Sequence, residues 1–283
     1  MAIGQEVEQF QIFAGRFDYL ALGNTLNTGP NGGITPCELL PESSATLDLD
    51  PGQTVIAAYL YWAGPGSGDF DVSLNGTPIT ASRTFASVNN ANPNLIYFAA
   101  FADVTSLITS SGSIEYTFGD LDLNAILPTY CPSGTNFAGW AINVIYEDPA
   151  LPLNQVNVFD GLESVSVANT ELVIELDNLN VVNPDGAKIG FLAWEGDDTV
   201  NLDESLIING NTLSNTLNPM DQQFNGTNTF TDSDQLFNMD IDVYDVENDV
   251  EVGDTEAEIR LTSGQDFVMV NSIITVINSQ LSY

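Results

Sequence analysis

The chain has 283 residues, of which 43% are hydrophobic, enough to build real cores and too many for wholesale disorder. Lys and Arg total 4 against 39 Asp and Glu, and the resulting net charge of −35 excludes nucleic acid as a natural partner and argues against electrostatic docking on anionic lipid. There is no His, which excludes mechanisms that use imidazole as base, proton shuttle or metal ligand.

Short alternating apolar runs bounded by Gly, Pro, Asn and Asp recur along the chain, and helical periodicity is hard to find. The runs predict strands at Thr46–Leu49, Thr54–Trp62, Phe70–Leu74, Ile114–Phe118 and Trp140–Tyr146. Further strands are predicted at Leu172–Leu176, Lys188–Trp194, Ile259–Thr262 and Phe267–Ile277. Asp103–Ile108 reads as one short helical turn. Asn75-Gly76 and Asn209-Gly210 read as tight hairpin turns, because both residue types tolerate positive φ. The longest apolar run, Val55–Ala63, is strand-sized, far short of the roughly 20 residues that span a bilayer. Residues 1–20 carry neither the basic start nor the apolar core of a signal peptide.

The order of signals repeats. Ala58–Gly64 answers Gly190–Gly196, and Ser73–Thr77 answers Ile207–Asn211. Phe101–Val104 answers Val243–Val246, Ile114–Asp120 answers Glu258–Gly264, and Ala141–Tyr146 answers Ser272–Ile277. Ordered signals in two copies predict an all-β chain of two tandem jelly-roll-like antiparallel β-sandwich units. The expected division is an N-terminal extension over 1–45 packed on the first unit, a first sandwich over 46–165 and a second over 166–283. In this reading Trp62 and Trp194 hold equivalent places in the two cores, and the stretch Gln9–Leu22 is the one candidate for strand donation to a neighbouring subunit.

Cys37 and Cys131 form no CxxC pair, and without His an ordinary zinc site is not expected. They are either a disulfide closing a loop of 94 residues or two unpaired thiols. The prolines beside them, Pro36 and Pro132, mark loops and favour the disulfide, worth about 4–5 kcal/mol in the loop-entropy model. A disulfide implies an oxidising, extracellular setting.

Nucleophilic chemistry has no support: Gly64-Pro65-Gly66-Ser67-Gly68 lacks the spacing of a nucleophile elbow, and no phosphate loop occurs. Lys188, the only lysine, reads as a cation neutralising local carboxylates. Divalent cations are a better use for the acids, and hard oxygen donors favour Ca²⁺ over transition metals. The candidate ligands are Glu147, Asp148 and Asp160 around one connection, Asp197 and Asp198 after a strand end, and Asp240 and Asp242 on one strand face. Tyr130, Phe137 and Phe230 are the loop aromatics that could form a platform for sugar rings.

Several strings together resemble a known family: Ser44-Ala45-Thr46-Leu47 with Pro51-Gly52, Leu60-Tyr61-Trp62-Ala63-Gly64, and the run from Gly139 to Pro149. They are similar to a module of large Bacteroidota cell-surface proteins exported by type IX secretion, the gliding-motility-associated and type B sorting-domain proteins that include the SprB-type adhesin. The resemblance covers about residues 10–283 and carries structural strings, with no catalytic signature. It implies a non-enzymatic extracellular module for adhesion, gliding or filament assembly, partnered by other copies or domains of a parent surface protein. No sorting domain follows Tyr283, so a fragment of a larger secreted protein is expected. Asp198-Thr199-Val200 resembles the O-glycosylation site of that phylum, at Thr199. The alternative is a carbohydrate-binding module recognising surface glycans, with a glycosidase a distant third, because paired carboxylates suffice for glycoside hydrolysis but cannot be singled out among 39 acids.

Overall fold

A computed structural model describes residues 5–31, 35–108, 112–198 and 203–279. The strands of the first half are β1 (Gln5–Gly15), β2 (Phe17–Thr25), β3 (Glu42–Leu49), β4 (Thr54–Pro65), β5 (Asp71–Leu74), β6 (Thr77–Thr80), β7 (Arg83–Asn89), β8 (Asn92–Asp103), β9 (Gly112–Gly119) and β10 (Gly139–Glu147). Those of the second half are β11 (Asn154–Val165), β12 (Glu171–Leu176), β13 (Asn183–Trp194), β14 (Ser205–Ile208), β15 (Asn211–Thr212), β16 (Met239–Asp245), β17 (Ala257–Thr262) and β18 (Val268–Asn278). Helix is confined to single turns, one of them at Thr105–Leu107 where a helical turn is expected, and no helix is long and apolar enough to cross a membrane among the described residues.

The strands form four antiparallel sheets in sandwich-like packing, a jelly-roll-type arrangement. Their orders are β2-β10-β4-β8-β7 and β3-β9-β5-β6, then β1-β11-β18-β13-β16 and β12-β17-β14-β15. The second pair repeats the first with β11 in the place of β2, β13 in that of β4 and β18 in that of β10. The duplication visible in the sequence is thus a duplication of connectivity. Both Asn-Gly turns have positive φ at both residues (49° and 72°, 48° and 85°), the geometry that lets two strands twist into a tight hairpin.

The two units do not stand in line; they pack face to face. One core lies inside the first sandwich, around Trp62, Phe118, Trp140 and Ile142, and another inside the second, around Phe159, Ile189, Phe191 and Ile273. A third joins the two five-stranded sheets, with Tyr61, Phe101 and Ile145 from one and Val156, Trp194, Met269 and Ile274 from the other. This third core explains why β10 and β18 are buried along almost their whole length, with apolar side chains on both faces and only Asn143, Asn271, Ser272 and Thr275 as polar interruptions before the last residue, whereas β12, with one face in solvent, alternates.

Three expectations are corrected by this packing. Residues 1–45 are not an extension resting on the first unit: β2 pairs with β10 inside it, while β1 crosses over to pair with β11 of the second. Gln9–Leu22 is therefore occupied within its own chain and is not a donor strand. Trp62 and Trp194 also differ in place, since Trp62 points into the first sandwich and Trp194 into the seam between sheets. Side chains alternate along a strand, so an offset one residue away from that of the matching strings sends them to opposite faces.

The seam carries polar bridges as well as apolar contact. The Arg83 guanidinium grips the buried Asp160 carboxylate at 2.6 and 2.7 Å, and the Tyr61 hydroxyl donates to the same carboxylate at 3.0 Å. Lys188 Nζ lies 2.6 Å from Asp18 of β2. Arg83→Met strands the Asp160 carboxylate in the seam and is expected to cost about 3 kcal/mol in urea unfolding. Adding Asp160→Asn should recover most of that loss, since the buried charge is then gone.

Candidate metal centre at the loop end of the second unit

Strand β13 ends at Trp194, and the chain turns at once through Glu195, whose φ of 77° is a backbone conformation few non-glycine residues adopt. The turn lays Glu195 and Asp197 against Asp266, which precedes β18. One carboxylate oxygen from each lies within 4.8 Å of the others, with Glu195 and Asp266 buried and Asp197 half-buried. Gly196 between them has no room for a side chain: a Cβ there would stand 2.7 Å from Asp240 Oδ2 and 2.5 Å from the Phe224 carbonyl. Asp240 on β16 and Glu204 just before β14 are also buried beside this group.

Hydrogen bonds hold the acids in place without neutralising them. Asn31 donates to Glu195 Oε1 at 2.7 Å, Asn238 to Asp197 Oδ1 at 2.7 Å, and the Asp197 N–H to Asp266 Oδ2 at 3.0 Å. The carbonyl oxygen of the Asn238 side chain in turn accepts from the Asn31 N–H and from Asn27, both in the loop after β2. The first unit thus braces a site built mainly by the second. The Cys37–Cys131 disulfide, with Cα atoms 5.9 Å apart, ties the chain that follows this loop to the insertion before β10.

Burial, followed by the charges of neighbouring acids, drives every one of these carboxyls upward. Asp197 is pushed to about 6, Asp266 to about 8 and Glu204 to about 10, while Glu195 and Asp240 also stand well above the ordinary carboxylate range. A buried Glu/Asp cluster able to coordinate a divalent cation is therefore present.

The structure sorts the sequence candidates. Asp197 lies in the cluster, with Asp198 exposed beside it. Asp240 faces the cluster, while Asp242 on the same strand accepts from the Thr227 hydroxyl at 3.1 Å. Glu147 is exposed and Asp148 caps its own turn by accepting the Ala150 N–H, and Asp160 belongs to the seam with Arg83, so these three do not meet. Thr199 lies outside the described residues. Tyr130 and Phe137 are core residues and Phe230 packs edge-on against Tyr19, so the expected aromatic platform is not formed. Sequence reasoning missed Glu195, Glu204 and Asp266. The available signal for Glu195 was an acid at the end of an apolar strand where the matching string of the first unit has Ala63.

No family model and no curated protein matches the chain. Among solved structures it is similar to a β-porphyranase of glycoside hydrolase family 86 from the human gut bacterium Bacteroides plebeius, at 14% identity and a TM-score of 0.31, over 98% of this chain and 37% of that one. It is similar to a wild-type GH86 protein in complex with neoagarooctaose at 13% identity and a TM-score of 0.29, over 94% and 34%. A conserved protein of unknown function from Pseudomonas aeruginosa PAO1 is similar at 12% identity and a TM-score of 0.29, over 95% and 100%. The chain spans about a third of the length of the two GH86 proteins. At these identities and TM-scores the likenesses carry no weight for chemistry.

The reading of the chain as inert, non-enzymatic architecture for adhesion, gliding or filament assembly is corrected here. The finding that overturns it is the buried acid cluster. A scaffold valued for shape alone gains nothing from burying carboxylates that repel one another at a cost of several kcal/mol.

Because these carboxyls stand above their unfolded values, the metal-free fold takes up protons. Its stability is full in acid and is lost as pH rises through the raised values. In EDTA the Tm should fall steadily from about pH 5 to about pH 9, and millimolar Ca²⁺ should remove most of that fall. Calorimetry with and without Ca²⁺ checks both.

Proposed function

We propose that the chain is a carbohydrate-recognising pair of jelly-roll-like units, extracellular in setting, whose loop end binds Ca²⁺. The observation that supports a glycan ligand is a groove of about 440 Å³ between the edge of the first unit and residues 228–236 of the second. It is lined by hydroxyls and amides, including Asn24, Ser44, Thr46, Thr231, Ser233 and Gln235, and by no charged side chain. On a chain with 39 acids, a groove free of charge suits a neutral, polyhydroxylated ligand, since it offers donors and acceptors without repulsion or a desolvated ion. The segments that floor the groove continue into Asn27, Asn31 and Asn238, which brace the carboxylates, so a bound cation stiffens the groove from behind. The all-oxygen donor set supports Ca²⁺, and the disulfide supports an oxidising exterior.

Affinity electrophoresis through neutral polysaccharides, with Ca²⁺ and with EDTA, tests this reading. Retardation is expected with Ca²⁺, weakened in EDTA and reduced about fivefold to tenfold by each of Thr46→Ala and Gln235→Ala, one hydrogen bond apiece. No retardation in any neutral polysaccharide overturns it. Reducing ends released during the run would make the ligand a substrate.

A further inference from the structure

We infer that Asn238 is the positioning residue that joins the ion site to the groove: its side-chain amide ties the two groove walls together and holds Asp197 in place. This rests on the cation and glycan readings above and names the group through which one acts on the other. Asn238 ends the stretch between β15 and β16 with a φ of 65°, a left-handed turn that Asn tolerates better than most residues, and it is 2% exposed. Burial keeps water from the amide, so its partners belong to the chain.

The bonds of Asn238 run three ways. Oδ1 accepts from the Asn27 side chain at 3.0 Å and from the Asn31 N–H at 2.9 Å, while Nδ2 donates to Asp197 Oδ1 at 2.7 Å. Its main-chain carbonyl accepts the Glu195 N–H at 2.7 Å. One residue thus fixes two of the three carboxylates in the cluster, Asp197 directly and Glu195 through its backbone. The orientation of the amide is forced. Turned over, Oδ1 would face the Asp197 carboxylate and Nδ2 would face two donors.

The same residue closes the inner end of the groove. One wall, at residues 22–24, runs on into Thr25 and Asn27, and the other, at residues 228–236, runs on into Phe237 and Asn238. The Thr25 hydroxyl donates to the Phe237 carbonyl at 3.0 Å, so that bond and the Asn27–Asn238 bond pin the walls at two successive points. Asn31 also reaches the cluster, through Glu195, but it extends one wall only. Of Asn27, Asn31 and Asn238, only Asn238 belongs to one wall, bonds the other and bonds Asp197. An ion that holds Asp197 still therefore holds the amide still, and the amide sets the wall spacing. By linkage, a ligand that sets the spacing tightens the ion in turn.

Asn238→Gly keeps the left-handed turn and removes the amide alone. Isothermal titration with Ca²⁺, and affinity electrophoresis through a neutral polysaccharide with Ca²⁺ and with EDTA, compare wild type, Asn238→Gly and Asn31→Ala, their folds checked by circular dichroism. Ca²⁺ affinity is expected to fall about tenfold in each variant, for the loss of one hydrogen bond to a charged group. At saturating Ca²⁺, Asn31→Ala should be retarded more than in EDTA, as wild type is, whereas Asn238→Gly should be retarded equally in both. Unchanged Ca²⁺ affinity in folded Asn238→Gly, or a Ca²⁺-dependent retardation that survives in it, overturns the inference and leaves the proposed function standing. Loss of that dependence in Asn31→Ala as well spreads the link over the loop and also overturns the inference. Wild type that no neutral polysaccharide retards overturns the proposed function and this inference with it. If Asn238→Gly does not fold, the side-chain NH₂ signals of Asn238 in the wild-type NMR spectrum decide. A shift on adding Ca²⁺ and a further shift on adding an oligosaccharide of the retarding polysaccharide are expected, and signals that answer to only one of the two overturn the link.

Discussion

Positive charge is the scarce quantity in this molecule. Thirty-nine acids share four basic side chains, and two of those four are spent on bridges across the seam, Arg83 to Asp160 and Lys188 to Asp18. Most of the remaining acids escape one another by facing water, where solvent and salt screen them, Asp160 and Asp242 being buried exceptions. The loop end of the second unit denies its carboxylates that escape. Glu195, Glu204, Asp240 and Asp266 are buried together with no basic partner, so protons or metal ions must come from outside the chain.

The seam is the second organising feature. Each unit closes its own sandwich, yet the inner sheets remain apolar on the faces they turn outward, and those faces meet. Burying both sides of β4, β10, β11 and β18 makes the pair one packed body of four layers instead of two beads on a string. Strand β1, paired with the second unit and continuous with β2 of the first, fastens the seam through the backbone. The carboxylate cluster draws on both units, because Asn27 and Asn31 of the first reach the acids of the second.

A charge-free groove and a charge-saturated pocket thus lie on the same connecting segments. Residues 24–31 pass from groove to cluster, and residues 228–238 do the same from the other side. In the proposed reading, ion binding and ligand binding are coupled through the order of this shared backbone, without any contact between ion and ligand.

Much of the fold was legible in the chain. Alternating runs and Asn-Gly turns depend on neighbours one or two residues apart, so the strands, the two hairpins and the all-β class could be read directly, and so could the duplication that orders them. The prolines beside Cys37 and Cys131 pointed at the bridge that joins them. What a one-dimensional pattern cannot carry is which face of a strand meets which partner. A shift of one residue sent Trp194 into the seam and Trp62 into a sandwich, though the strings around them match. The site was hidden for the same reason. Glu195, Glu204, Asp240 and Asp266 lie on four separate segments, and among so many acids only tertiary packing decides which are sealed from water together and which face out into it.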